Sequence, residues 1–183
     1  MSASRTILFV DDQHILYRSG TERVVTSFTR YDGNPVVSGR ERPWEVALAW
    51  SSIYRNPESG TYQLWYQAFT GHQLQKRTFD CAVCYAESDD GIHFERPLFD
   101  ICPFQGKSRS NIVLTGNGGY SLRYGNSVLV DPVPADPERR YKMAYFDFTG
   151  DGQNENPGLC AAFSPDGVHW NKHPVAPLSF MAY

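Results

Sequence analysis

A chain of 183 residues with 17 basic and 20 acidic side chains carries a formal net charge of -3, so it has no surplus of cations with which to displace counterions from a nucleic-acid backbone. Hydrophobic residues make up 41% and aromatic residues 14% of the chain, yet no apolar run approaches the roughly 20 residues that a membrane-spanning helix needs. What remains is an aromatic-rich globular chain of the size of one ordinary domain.

Residues 1–46 read as an amino-terminal strand segment and entry loop. Leu8-Phe-Val10 is followed by the vicinal pair Asp11-Asp12, which reads as a turn before Ile15. The apolar run is too short for a secretory leader, so a cytoplasmic location is the expectation. Strands are then predicted over Ala47 to Arg55, Tyr62 to Phe69, Cys81 to Glu87 and Ile92 to Arg96. All are short, aromatic or β-branched, and bounded by Pro, Asp and Gly turns such as Asn56-Pro-Glu-Ser-Gly60 and Ser88-Asp-Asp-Gly91. These form a unit over 47–99, followed by a long connection over 100–123 that holds Gly116-Asn-Gly-Gly119. A second unit occupies 124–175, and 176–183 is a tail or the start of a further segment. Helical periodicity is nowhere persuasive.

The second unit is an echo of the first. Cys84-Tyr-Ala86-Glu-Ser88-Asp-Asp90-Gly91-Ile-His93-Phe94 returns as Cys160-Ala-Ala162-Phe-Ser164-Pro-Asp166-Gly167-Val-His169-Trp170, each match 76 positions on. Tyr62 to Phe69 returns as Tyr141 to Phe148, and Ser52 to Pro57 as Ser127 to Pro132, in the same order. Three ordered blocks make a duplicated structural unit, and four antiparallel strands per unit make a propeller blade. The chain is therefore read as a single all-β domain over 1–183, a partial β-propeller of about two blades.

In such a blade the first-to-second and third-to-fourth connections share one face, and the remaining connections the other. Here the second set is long: Thr70 to Asp80, Pro97 to Tyr124, and Thr149 to Gly158. Elaborated loops on a rigid scaffold carry function, which places Trp44, Glu45, Arg123, Tyr124 and Asn126 at a site near the axis, with His72 in the first long loop.

Asn34-Pro-Val-Val, Trp44-Glu45, Ser51-Ser-Ile-Tyr, Gly60-Thr-Tyr-Gln-Leu-Trp-Tyr-Gln67 and Tyr85-Ala-Glu-Ser-Asp-Asp-Gly-Ile-His-Phe-Glu-Arg-Pro97 together resemble the five-bladed propellers of glycoside hydrolase families 32 and 43. They look closest to uncharacterised relatives that open with Leu8-Phe-Val-Asp-Asp12. The resemblance implies a five-bladed glycosidase scaffold and glycosidic-bond hydrolysis by paired carboxylates, one as acid and one as nucleophile or base. In those enzymes an Asp opens the first inner strand. Here Ala47-Leu-Ala-Trp50 precedes Ser51, and Arg123-Tyr-Gly-Asn126 stands where a second Asp opens the next blade.

Four carboxylates compete for the chemistry. Glu45 follows an indole, a setting that can raise a carboxyl pKa for acid catalysis. Asp12 belongs to the family-like opening, and Asp147 replaces Ala68 of the first repeat just ahead of a long loop. Glu155, in that loop, is weaker. The expected catalytic residues are Glu45 and Asp12 with Asp147 auxiliary, and the expected pocket lining is Trp44, Arg123, Asn126, His72 and Tyr124. Trp44, Tyr124 and Phe69 are aromatic rings able to stack on a sugar.

The repeated Ser-x-Asp-Gly-x-His-aromatic motif reads as scaffold, its Asp and Gly setting turns and its aromatic residue packing between blades. Cys81-Ala-Val-Cys84 has half of a zinc-site spacing but no completing pair, and residues three apart on a strand face opposite ways. Free thiols at positions 81, 84, 102 and 160, no metal and no cofactor are expected.

Propellers close with about four to eight blades. Two blades expose interblade faces, so the ring is expected to be completed by further carboxy-terminal blades or by copies of the chain in a homo-oligomer. The functional expectation is a glycoside hydrolase acting on a carbohydrate. The alternative is a noncatalytic carbohydrate-binding or assembly module.

Overall fold

The computed structural model describes residues 12, 15–71, 81–116, 124–148, 157–174 and 179–180. The chain divides into two compact units, residues 1–34 and 35–183. No strand precedes Ala47 among the described residues, whereas Leu8 to Val10 lie outside them.

Residues 35–183 are all-β, with two antiparallel sheets in the repeat order read from the sequence. The first sheet runs β1 (Ala47–Arg55), β2 (Tyr62–Phe69), β3 (Cys81–Ser88), β4 (Ile112–Thr115), each strand paired with the next. The second runs β5 (Tyr124–Val130), β6 (Tyr141–Phe148), β7 (Pro157–Ser164), β8 (Asn171–Lys172), with β9 (Ser179–Phe180) also on β7. No α-helix occurs among the described residues; a single 3-10 turn, Pro137–Arg139, is capped by the Asp136 side chain. Among the described residues no helix is long and apolar enough to cross a membrane.

The fourth strand differs from the sequence expectation. Ile92 to Arg96 contributes only an isolated bridge, Glu87 to Glu95, and the outer strand is instead β4, inside the stretch 100–123 that the sequence predicts as a connection. The outer edge is thus split, with Glu95 against the lower part of β3 and Ile112–Thr115 against the upper part. β8 and β9 divide the edge of β7 in the same manner. The reason is local: the tight Asp90 turn makes the first pass short, and the apolar run Ile112-Val-Leu-Thr115 then supplies the buried edge.

β2 and β3 are buried on both faces, whereas β1 has only exposed and half-buried positions and lies at the edge of its sheet. The odd residues of β2 and β3, Trp65, Val83 and Tyr85, pack with Tyr141, Met143 and Tyr145 of β6 in one core between the sheets. The even residues, Tyr66, Ala68 and Cys84, face the other way with Trp44, Phe104 and Ile112. Cys81 and Cys84 lie in opposite cores, as three-residue spacing on a strand requires, and all four cysteines are free thiols.

The inner strands β1 and β5 meet through Ser52, whose hydroxyl donates to the Asn126 carbonyl at 3.4 Å and accepts from the Val128 amide at 3.0 Å. The repeated Ser-x-Asp-Gly motif is a turn. Ser88 Oγ accepts from the Gly91 amide and Asp90 Oδ1 from the Ile92 and His93 amides, and Ser164 and Asp166 do the same in the second copy.

Candidate functional site

Glu45 enters the first sheet just before β1 and is completely buried. Its Oε1 accepts from the Tyr66 hydroxyl at 2.7 Å and from Asn111 Nδ2 at 3.3 Å, and its Oε2 accepts from an Arg96 guanidinium nitrogen at 2.7 Å. Arg96, 6% exposed at its side chain, also donates to the Ser38 carbonyl at 3.0 Å and pairs with Glu41 at 3.1 Å. Asn111 closes the cluster by accepting from Trp44 Nε1 at 2.7 Å. Burial, then the neighbouring Cys84 and the Glu45 carboxylate, push the Tyr66 phenol far above its ordinary range, so it stays protonated and remains a donor to Glu45.

The second sheet carries a counterpart. Asp147, near the end of β6, is completely buried opposite Gly158. Burial lowers the pKa of Lys172, and Asp147 is the strongest of the opposing charges that hold it up. Cys84 is raised by burial and then by Glu45; Cys160 is raised by burial and then by Asp147. Each sheet therefore gathers a tyrosine of its second strand (Tyr66, Tyr145), a cysteine of its third (Cys84, Cys160) and a cation (Arg96, Lys172) around one buried carboxylate. The cations stand 76 positions apart, the same offset as the cysteines. That offset is the signal through which Arg96 and Lys172 were legible, and sequence reading missed them. Asn111 had no such signal.

The remaining expected residues are dispersed. Trp44 was expected to line the pocket, but its indole is 2% exposed, bonded to Asn111 and edge-on to Phe104 at 5.8 Å, so it is core. Asp12, in the amino-terminal unit, is exposed and paired with Arg18 and with Arg23. Asn126 sits on β5 beside β1, 6% exposed; its Nδ2 donates to the Trp65 carbonyl at 3.4 Å, while its Oδ1 has no partner among the described residues. Tyr124 opens β5 and pairs with Phe146. His72, Arg123 and Glu155 lie outside the described residues.

At the tight-turn end, a cleft of about 450 Å³ is lined by Thr61, Glu87, Asp89, Asp90, His93 and Glu95 among others. Its Asp90 is committed to the turn, and hydrogen bonds from the His93 ring and from the His93 and Ile92 amides hold its carboxyl far below the usual carboxylate range. Among the described residues no group of three or more His, Cys, Asp or Glu side chains is arranged to hold a metal ion.

No protein-family model and no curated protein matches the chain. Solved structures do. One comes from the GH130 family of mannoside phosphorylases, described as containing glycoside hydrolases that target β-1,2 mannosidic linkages in Candida mannan; it is 21% identical, with a TM-score of 0.55, over 84% of this chain and 44% of that one. A glycosyl hydrolase from Bacteroides ovatus is 19% identical, with a TM-score of 0.53, over 80% of this chain and 40% of that one. The chain thus shares the propeller-like scaffold of these glycoside hydrolases and spans less than half of their length. The neighbours show a shared fold and do not single out families 32 or 43.

Proposed function

We propose that the chain acts on a carbohydrate as part of a five-bladed glycosidase-type propeller, cleaving a glycosidic bond through carboxylates. The observation that carries this reading is the scaffold shared with glycoside-hydrolase structures over most of the chain. β-Mannosides are the substrate class to test first, because the GH130 neighbour is described as acting on that linkage. Asp147, set beside the long 149–156 connection, takes the acid–base role. Glu45, with both oxygens engaged, acts as a positioning residue for Tyr66, Asn111 and Trp44. The ring is completed by further blades or by copies of the chain.

A second reading, a noncatalytic carbohydrate-binding module, is favoured by one fact: Glu45 and Asp147 are both 0% exposed, and an acid must come within hydrogen-bond reach of the bond it protonates. Hydrolysis of p-nitrophenyl β-D-mannopyranoside and β-1,2-mannobiose, with and without inorganic phosphate, separates the two. Turnover that falls at least about 100-fold in Asp147→Asn supports the enzyme, and phosphate dependence distinguishes phosphorolysis from hydrolysis. No turnover together with saturable sugar binding establishes the module.

A further inference from the structure

The two inner strands share a defect. β1 breaks register against β2 between Ala49 and Ser51, and β5 breaks register against β6 between Tyr124 and Asn126. The residues extruded at these bulges, Trp50 and Gly125, occupy equivalent repeat positions, and both have positive φ, 33° and 56°. Glycine adopts such angles without cost, whereas a residue with a side chain is strained there. A bulge re-aims a side chain, and strained backbone persists where its surroundings enforce it, often at functional sites. The first repeat thus places the largest side chain on a strained backbone where the second repeat has none.

The indole is half-exposed, at 50%, and leans on Phe69 with ring centroids 6.0 Å apart. Gly125 adjoins it: a Cβ there would lie 4.0 Å from Trp50 Cγ, and the Gly125 amide is fixed by donating to Gln67 Oε1 at 2.6 Å. A half-exposed apolar ring face held by strained backbone is complementary to the C–H face of a pyranose.

We infer that Trp50 is a sugar-stacking platform at the β1–β5 junction, an arrangement that rests on the carbohydrate reading above and names where the sugar sits. Among mannosides the β-anomer fits best, because its axial hydrogens at C1, C3 and C5 share one face, whereas the α-anomer places its glycosidic oxygen axially on that face.

The test titrates methyl β-D-mannopyranoside and its α-anomer into the 183-residue chain, followed by ligand saturation-transfer NMR and by the indole N–H resonances. The expected result is transfer to H1, H3 and H5 of the β-anomer, with weaker binding of the α-anomer. The indole resonance that is missing in Trp50→Gly should move on titration. Trp50→Gly, which relieves the backbone, should melt no lower than the wild type yet weaken binding about tenfold, with Trp50→Phe intermediate. Unchanged affinity in Trp50→Gly, or a Trp50 indole signal that does not respond while the sugar binds elsewhere, overturns the platform and leaves the carbohydrate function standing. No saturable binding of either sugar overturns both.

Discussion

The indole N–H of Trp65 donates to the Gly167 carbonyl at 2.6 Å, across 102 residues of sequence. The core tryptophan of one repeat is thereby bonded to the turn of the other, and Trp170 donates to the same carbonyl at 3.0 Å. The turn motif, which carries an acid and a histidine and reads as scaffold in the sequence, is a structural joint between the sheets.

That joint leaves no room at Gly167. An added Cβ would lie 2.7 Å from Trp65 Cζ2 and 3.1 Å from Tyr141 Cε1, at a φ of +83°. Gly167→Ala should cost about 2–5 kcal/mol, combining overpacking with left-handed strain. Gly106→Ala, at φ +79° with nothing within 4 Å, should cost only about 1 kcal/mol. Urea unfolding midpoints of the two variants make the comparison.

The Glu45–Arg96 pair is buried, so loss of either partner strands the other's charge in the core. Glu45→Gln and Arg96→Met should each destabilise by about 3–5 kcal/mol, and the double variant should lose markedly less than the sum. A double-mutant cycle in denaturant reads this coupling, and additive losses would show that the two side chains do not act as a pair.

The turn carboxylates set an acid limit. Burial works to raise Asp166, but hydrogen bonds from the His169 amide and ring, the Val168 amide and Ser164 outweigh it and hold the carboxyl at about 2, against about 3.9 in an unfolded chain. A depressed folded-state value adds stability above the unfolded pKa and loses it as pH falls, here between about pH 4 and 2. Carboxyl ¹³C titration should show Asp166 ionised well below pH 3.9, and His169→Ala should move it upward.

In the second sheet Asp147 opposes the effect of burial on Lys172. Asp147→Asn removes that support, so the Lys172 ammonium should titrate lower still than in the wild type, as read by side-chain NMR. An unchanged Lys172 titration would show that the two groups are not coupled.

Two repeated sheets, their first three strands and the scaffold role of the Ser-x-Asp-Gly turns were all legible in the sequence, because alternation along a strand and turn chemistry are local properties that recur visibly when a unit is duplicated. The burial of Glu45 and Trp44, the partnership of Arg96 with a carboxylate 51 residues away and the recruitment of Ile112–Thr115 as the outer strand were decided only by the tertiary structure. A residue name reports which bonds a side chain can make, whereas its partners and its access to water depend on which distant strands fold against it.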